Sequence, residues 1–213
     1  MKVMVIPVTK YRQNCSLIWC EATMKAAVID PGGDLDIVLA NAAAQNVEIV
    51  KILLTHGHLD HAAGTDKLRR RLQIPVEGPH REDSFWIDKL PSETIASGFP
   101  PTRAFSPDRW LEQGDQVTLD QITLDVFHCP GHTPGHVVYF DPGIRVAFVG
   151  DVLFKGSIGR TDFERGDHDA LLQSIRERLW PLGNDVTFVP GHGPLSTFGE
   201  ERRTNPYVGD NML

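Results

Sequence analysis

Apolar positions along this chain fall into short runs separated by turn residues. Val3 to Val8, Ser16 to Trp19 and Ala26 to Ile29 read as strands, the last closed by the turn signal Pro31-Gly32-Gly33. A helical period follows from about Leu35 to Gln45, with Ile37, Val38 and Ala42 on one face and Asp34 as its expected cap. The apolar run Val50 to Leu54 predicts a buried strand, and Leu59 to Gln73 a helix whose basic end suits the C-terminal dipole. The segment Pro75 to Pro107 is less periodic, with a short helix expected near Glu82 to Leu90, and reads as an excursion over whatever site the strands build. Strands return at Gln116–119, 122–127, 137–140 and 146–149. An amphipathic helix then spans His168 to Trp180 with Leu171, Leu172, Ile175 and Leu179 on one stripe, before a last strand at 186–189. Two blocks, each of strands followed by helix, predict two sheets packed face to face with helices outside. There is no internal repeat, low-complexity tract or linker, so one domain over 1–213 is expected.

Composition narrows the function classes. A net charge of -7 and a pI near 5.7 argue against a surface built to neutralise phosphates, so nucleic acid is not an expected partner. No window reaches the roughly eighteen apolar residues of a membrane span. The opening "MKVMVIPVTKYRQN" reads as a strand and not as a leader, which places the protein in the cytoplasm. Cys15, Cys20 and Cys129 fit no disulfide framework, and the first two are expected as small buried residues.

The chemistry lies where strands end. Four apolar strands run directly into metal-type donors, in "KILLTHGHLDH", "LDVFHCPGHTPGH", "VAFVGD" and "VTFVPGH". Such ends suit ligands because the scaffold is rigid while the loop beyond exposes side chains to a shared cleft. In extended backbone, residues i and i+2 fall on one side, whereas on a helix they would diverge by about 200°. His56 and His58 can therefore hold one metal, while Asp60 and His61, where the chain turns into the next helix, face elsewhere. The candidate donors are His56, His58, Asp60, His61, His132, Asp151 and His192. That set exceeds the four ligands of one zinc and suits two divalent metals sharing a carboxylate and a water. Asp151, alone at its strand end, is assigned as the bridge. His80 and His168 are expected as surface or satisfied core residues, His128 in strand packing, and His136 in a hydrogen-bonding role behind the ligands.

These motifs resemble those of the metallo-β-lactamase superfamily. Its H-x-H-x-D-H signature is "HGHLDH" at His56 to His61, followed in order by "GHTPGH", "FVGD" and "PGHGP". The resemblance implies an α/β fold, a four-layer αββα sandwich with a dinuclear metal site at one edge. It also implies that His56, His58 and His132 hold one metal, that Asp60, His61 and His192 hold the other, and that Asp151 bridges. The commonest class of true β-lactamases has Arg in place of His61 and Cys in place of Asp151, which counts against antibiotic hydrolysis. The chain looks most like the glyoxalase II group, hydroxyacylglutathione hydrolases, in a short single-domain form. Here Arg160 stands where that group's glutathione-binding Lys is usual, Asp162 replaces a Tyr, and Gly193 follows His192 where another Tyr is common.

The expected reaction is hydrolysis of a small-molecule thioester, S-lactoylglutathione or a relative, by hydroxide generated at two cations. Zinc is the first expectation, with iron or manganese as alternatives. Asp60 and Asp151 are the candidate catalytic residues and Arg160 the candidate anion contact. The segment Gly159 to Phe163 also resembles the persulfide dioxygenases, which use one iron on a similar scaffold; that oxidoreductase reading is the alternative.

Overall fold

The computed structural model describes residues 1–210, so the last three residues of the expected 1–213 domain lie outside the described residues. In chain order, strands β1 (Lys2–Val8), β2 (Gln13–Trp19) and β3 (Lys25–Ile29) precede helix α1 (Leu35–Ala44), strand β4 (Glu48–Leu53) and helices α2 (Leu59–Ala62) and α3 (Thr65–Leu72). Strand β5 (Val76–Glu77) leads through a 3-10 turn, Arg81–Asp83, into α4 (Ser84–Ala96). The second half holds β6 (Gln116–Leu119), β7 (Ile122–His128), β8 (Val137–Asp141), β9 (Val146–Gly150), β10 (Leu153–Phe154), β11 (Ser157–Ile158), α5 (His168–Ser174), β12 (Thr187–Pro190), β13 (Ser196–Thr197) and α6 (Phe198–Thr204). The first sheet has the order β1-β2-β3-β4-β5 and the second β13-β12-β9-β8-β7-β6, with β10 and β11 forming a separate hairpin.

Alternation along the strands builds four layers. In β3, Ala26 and Val28 face α1, α3 and α4 in one core, with Leu35, Val38, Leu68 and Ile87. Ala27 and Ile29 face the second sheet instead, joining Leu124, Val126, Tyr139 and Phe148. The far side of that sheet presents Val138, Phe140, Ala147 and Val149 to Leu171, Ile175 and Phe198. Each fully buried Val, Leu, Ile or Phe among these stabilises the sandwich by about 1.5–3 kcal/mol. Cys15, Cys20 and Cys129 are buried and unpaired. Among the described residues no helix is long and apolar enough to cross a membrane.

The same topology gathers the strand ends. β4 runs parallel to β3 and β12 parallel to β9, while β7 is antiparallel to β8, which is antiparallel to β9. The C-terminal ends of β3, β4, β7, β9 and β12 therefore open on one edge of the sandwich. The two sheets are tied there: Asn14 N–H donates to the Gly191 carbonyl at 2.7 Å, and its side chain donates to the Pro190 carbonyl at 3.0 Å.

Several elements depart from the sequence pattern. Asp34 does not cap α1; its residue is left-handed and its carboxylate accepts instead from Thr9 N–H at 2.7 Å. The helix expected over Leu59–Gln73 breaks at Gly64, where a Cβ would stand 2.3 Å from the Pro31 carbonyl oxygen, so the Pro31 turn and this bend interlock. Helix α4 runs on past Leu90 to Ala96 through Pro91, which forgoes one intrahelical N–H. The amphipathic segment from His168 is α-helical only to Ser174 and continues as a π turn, Ile175–Leu179, and a 3-10 turn, Trp180–Leu182, with Pro181 as its second residue. Its N-terminus is capped by Asp167, whose carboxylate accepts from Ala170 N–H at 3.0 Å.

Candidate metal centre

All seven predicted donors meet at that rim, and they do so as two clusters. His56, His58 and His132 bring one ring nitrogen each to within hydrogen-bond range: His58 Nδ1 lies 3.1 Å from His56 Nε2 and 3.0 Å from His132 Nε2. Asp60, His61 and His192 form the second cluster, with His192 Nε2 at 3.1 Å and His61 Nε2 at 3.8 Å from Asp60 Oδ2. Asp151 stands between them. Its Oδ1 is 3.4 Å from His61 Nε2, and its Oδ2 is 3.6 Å from His132 Nε2 and 3.7 Å from His192 Nε2.

Hydrogen bonds behind the rings set which nitrogens carry lone pairs. Asp30, a residue that the sequence reading passed over, accepts from Thr55 N–H at 2.7 Å and Thr55 Oγ1–H at 2.6 Å, and pairs with His61 Nδ1 at 2.9 Å. Because the Thr55 hydroxyl gives its proton to Asp30, it accepts from His56 Nδ1–H at 3.0 Å. His132 Nδ1–H donates to the Arg160 carbonyl at 2.8 Å. Both Nε2 atoms then carry lone pairs aimed at His58 Nδ1, which has at most one proton to give. Neutral imidazoles cannot satisfy this cluster among themselves. Donors around a tetrahedral zinc stand about 3.3 Å apart, close to the separations seen.

Charge follows the same division. Burial, reinforced by the neighbouring imidazoles, holds His56 well below the ordinary histidine range; burial likewise lowers His58 and His132. His61 goes the other way. Burial works against its charged form, but the carboxylates of Asp151, Asp60 and Asp30 outweigh it and raise the ring well above the usual value. Burial would raise Asp151 and Asp60, yet the facing histidines depress both. One cluster is thus three neutral imidazoles and the other a set of ionised carboxylates with imidazoles.

Three buried polar atoms here lack any hydrogen-bond partner: His58 Nε2, His61 Nε2 and Asp151 Oδ1. The last two face each other across the centre. Room for Asp151 depends on Gly191, where a Cβ would fall 1.9 Å from Oδ1. Unpaired donor atoms, opposed lone pairs and ionised carboxylates together fit divalent cations, and these residues would hold them.

The remaining histidines lie outside both clusters. His136 is buried, stacks on His56 with ring centroids 4.7 Å apart, and accepts from Asp151 N–H at 3.0 Å. His128 ends β7 and stacks on His80 at 4.2 Å. His80 is a largely buried, satisfied histidine, with a side chain 15% accessible and Nε2 bound to Glu112 at 2.9 Å. His168 is exposed.

A cavity of about 720 Å³ opens over the centre. Its floor includes His58, Asp60, His132, Asp151 and His192; Trp86 and Leu90 of α4 form one wall, and Phe154 and Phe163 another. The segment around α4 is thus the excursion over the site that the sequence suggested. Arg160 lines the cavity but is engaged: it donates twice to Asp162, both at 2.6 Å, and lies 4.4 Å from the Phe163 ring centroid.

A four-layer α/β sandwich carrying two clusters of metal-type donors at one rim defines a metal-dependent hydrolase. Residues 8–192 match the metallo-beta-lactamase superfamily, and the chain belongs to it. It is 43% identical to the hydroxyacylglutathione hydrolase GloC of Haemophilus influenzae over 98% of both chains. Among solved structures it resembles the BLEG-1 B3 metallo-beta-lactamase, with 36% identity, a TM-score of 0.89, and 97% of this chain and 99% of that one covered. It also resembles TTHA1623 in a di-iron-bound form, with 34% identity, a TM-score of 0.87, and 96% and 100% covered.

Proposed function

We propose that the protein is a thioesterase of the hydroxyacylglutathione hydrolase type, acting in the cytoplasm on S-lactoylglutathione or a related glutathione thioester, with residues 1–213 as one catalytic domain. The observation that carries this is the pair of donor clusters sharing Asp151, in a chain 43% identical over nearly its whole length to a hydroxyacylglutathione hydrolase.

His56, His58 and His132 would hold one cation, Asp60, His61 and His192 the other, and Asp151 would touch both. Two divalent cations, zinc or alternatively iron or manganese, would supply a water of pKa near ~7 and an electrophile for the carbonyl oxygen. Asp60, which lines the cavity, would also orient the attacking water. Asp30 fixes the tautomer of His61 directly and that of His56 through Thr55. Trp86 and Phe163 wall the thioester from bulk water. The leaving thiol, of pKa about 8.5, departs as a thiolate without a dedicated acid. Asp162 already neutralises Arg160, so the substrate is held chiefly by apolar surface and by the centre itself.

A second reading, β-lactam hydrolysis, is favoured by the 36% identity to a structure described as a B3 metallo-beta-lactamase. One metal-quantified preparation distinguishes these. Thioester cleavage with kcat/KM above about 10⁴ M⁻¹s⁻¹ supports the thioesterase reading. Faster opening of a chromogenic cephalosporin favours the second. Oxygen uptake with glutathione persulfide, without thioester cleavage, overturns both in favour of a dioxygenase.

A further inference from the structure

The buried carboxylate of Asp83 lies outside both donor clusters, yet it ties together the loops that carry one of them. It sits at the end of the 3-10 turn before α4 and is 0% exposed. Its Oδ2 accepts from Gly57 N–H at 2.8 Å and from Thr133 Oγ1–H at 2.9 Å, and its Oδ1 accepts from Gly135 N–H at 2.6 Å. Gly57 is the residue between His56 and His58, and Thr133 is next to His132. The turn is fastened a second time, since Asp83 N–H donates to the His80 carbonyl and His80 N–H donates to the Gly135 carbonyl, both at 3.0 Å.

The other cluster rests on different groups. His61 Nδ1 is held by Asp30 at 2.9 Å and His192 Nδ1 by the Tyr11 carbonyl at 3.2 Å. Among the described residues, Asp83 makes no hydrogen bond to Asp60, His61 or His192, nor to their chain neighbours.

We propose that Asp83 is a positioning residue that sets the His56–His58–His132 cluster, and not the Asp60–His61–His192 cluster, in register to take up a cation. The proposal rests on the two-cation reading of the centre. The carboxylate is the group the position requires, because it accepts from three donors at once. Asn in the same rotamer would turn its NH2 towards either the Gly135 amide or the Gly57 and Thr133 donors, setting donor against donor. Loops carrying His58 and His132 would then shift relative to each other, whereas the second cluster would keep its own supports.

The test is site-resolved metal binding. Wild type, Asp83→Asn and Thr133→Val, all metal-free and checked for fold by circular dichroism, are titrated with Cd²⁺ and followed by calorimetry and ¹¹³Cd NMR. These signals separate the three-imidazole site, whose one carboxylate is the shared Asp151, from the site that adds the Asp60 carboxylate and has two imidazoles. Wild type should bind two equivalents. In Asp83→Asn the three-imidazole site should weaken by 10- to 100-fold, the range for loss of an outer partner, with the Asp60-containing site within about threefold of wild type. Thr133→Val removes one of the three bonds and leaves the rest, so it should weaken the same site by a smaller factor; it carries the test if the Asn variant fails to fold. Equal weakening of both sites, or of neither, overturns the proposal while leaving the two-cation reading intact. Failure of wild type to bind two equivalents overturns that reading and the proposal with it.

Discussion

Asp151 and His61 face each other across the centre, Oδ1 to Nε2 at 3.4 Å, and neither atom has a hydrogen-bond partner. Two polar atoms left this way in a buried site cost free energy unless a third party satisfies them. The same carboxylate points its other oxygen at His132 Nε2, 3.6 Å away. Asp151→Ala should therefore release cation from both clusters, and thioester hydrolysis should fall by more than about 100-fold, beyond the loss typical of an outer partner. Elemental analysis with steady-state kinetics measures both. Full turnover with two metals retained would sink the bridging assignment.

Asp30 supports the opposite side. It is 2% exposed and satisfies three donors, Thr55 N–H, Thr55 Oγ1–H and His61 Nδ1. Asp30→Ala strands these donors, and each buried unpaired group costs about 1–3 kcal/mol. Urea unfolding of the metal-free protein should show a loss of about 3 kcal/mol or more. Asp30→Asn should lose less, since its amide oxygen still accepts one or two of the three. A loss under about 1 kcal/mol for the alanine variant would mean that water replaces the carboxylate.

The contrast between Asp30 and the ligands shows what the sequence could disclose. Strand ends followed by His or Asp were legible because period-two alternation and donor spacing are local, and Asp30 follows β3 in that same grammar, in "AAVID". A lone carboxylate beside Pro and Gly also reads as a turn residue, so the pattern alone does not mark Asp30 as a support. Asp83 had no such signal: its partners Gly57, Thr133 and Gly135 lie 26 to 52 residues away and meet it only through sheet topology. The break at Gly64 and the redirected Asp34 likewise answer to tertiary neighbours, the Pro31 carbonyl and the Thr9 amide, which no helical period encodes.

Asp83 also gives a pH dependence. Burial raises its carboxyl to about 6, against the pull of its three hydrogen bonds. An unfolded Asp titrates near ~3.9, so between about pH 4 and 6 the native state binds the extra proton and stability falls as pH rises. The whole effect is about 2–3 kcal/mol, a shift of roughly two units at 1.36 kcal/mol each. Other carboxylates titrate in the same range, so the measured quantity is the difference between wild type and Asp83→Asn. Unfolding free energies of the metal-free proteins should show wild type losing ground to the variant from about pH 4 to 6 and holding level above it. A difference that grows in wild type's favour over that range would place the folded pKa below the unfolded one.

The last expectation concerns substrate. Arg160 reads in the sequence as the one anion contact near the site, and a free guanidinium gripping a carboxylate would make a strong bidentate pair. In the structure that grip is already taken by Asp162, with both bonds at 2.6 Å, while Phe163 supports the guanidinium from one face and lies 4.7 Å from the His58 ring. Arg160→Ala should accordingly raise KM for S-lactoylglutathione by less than about threefold, since an exposed pair is worth roughly 0–1 kcal/mol and its loss also frees Asp162. Phe163→Ala removes apolar wall directly over the centre. Losing part of an aromatic contact worth about 1.5–3 kcal/mol should raise KM by roughly 5- to 20-fold with a smaller change in kcat. Steady-state kinetics on the two variants separates the cases. A tenfold or larger KM effect at Arg160 with little at Phe163 would show that the guanidinium leaves Asp162 for the substrate and that charge, not apolar surface, selects it.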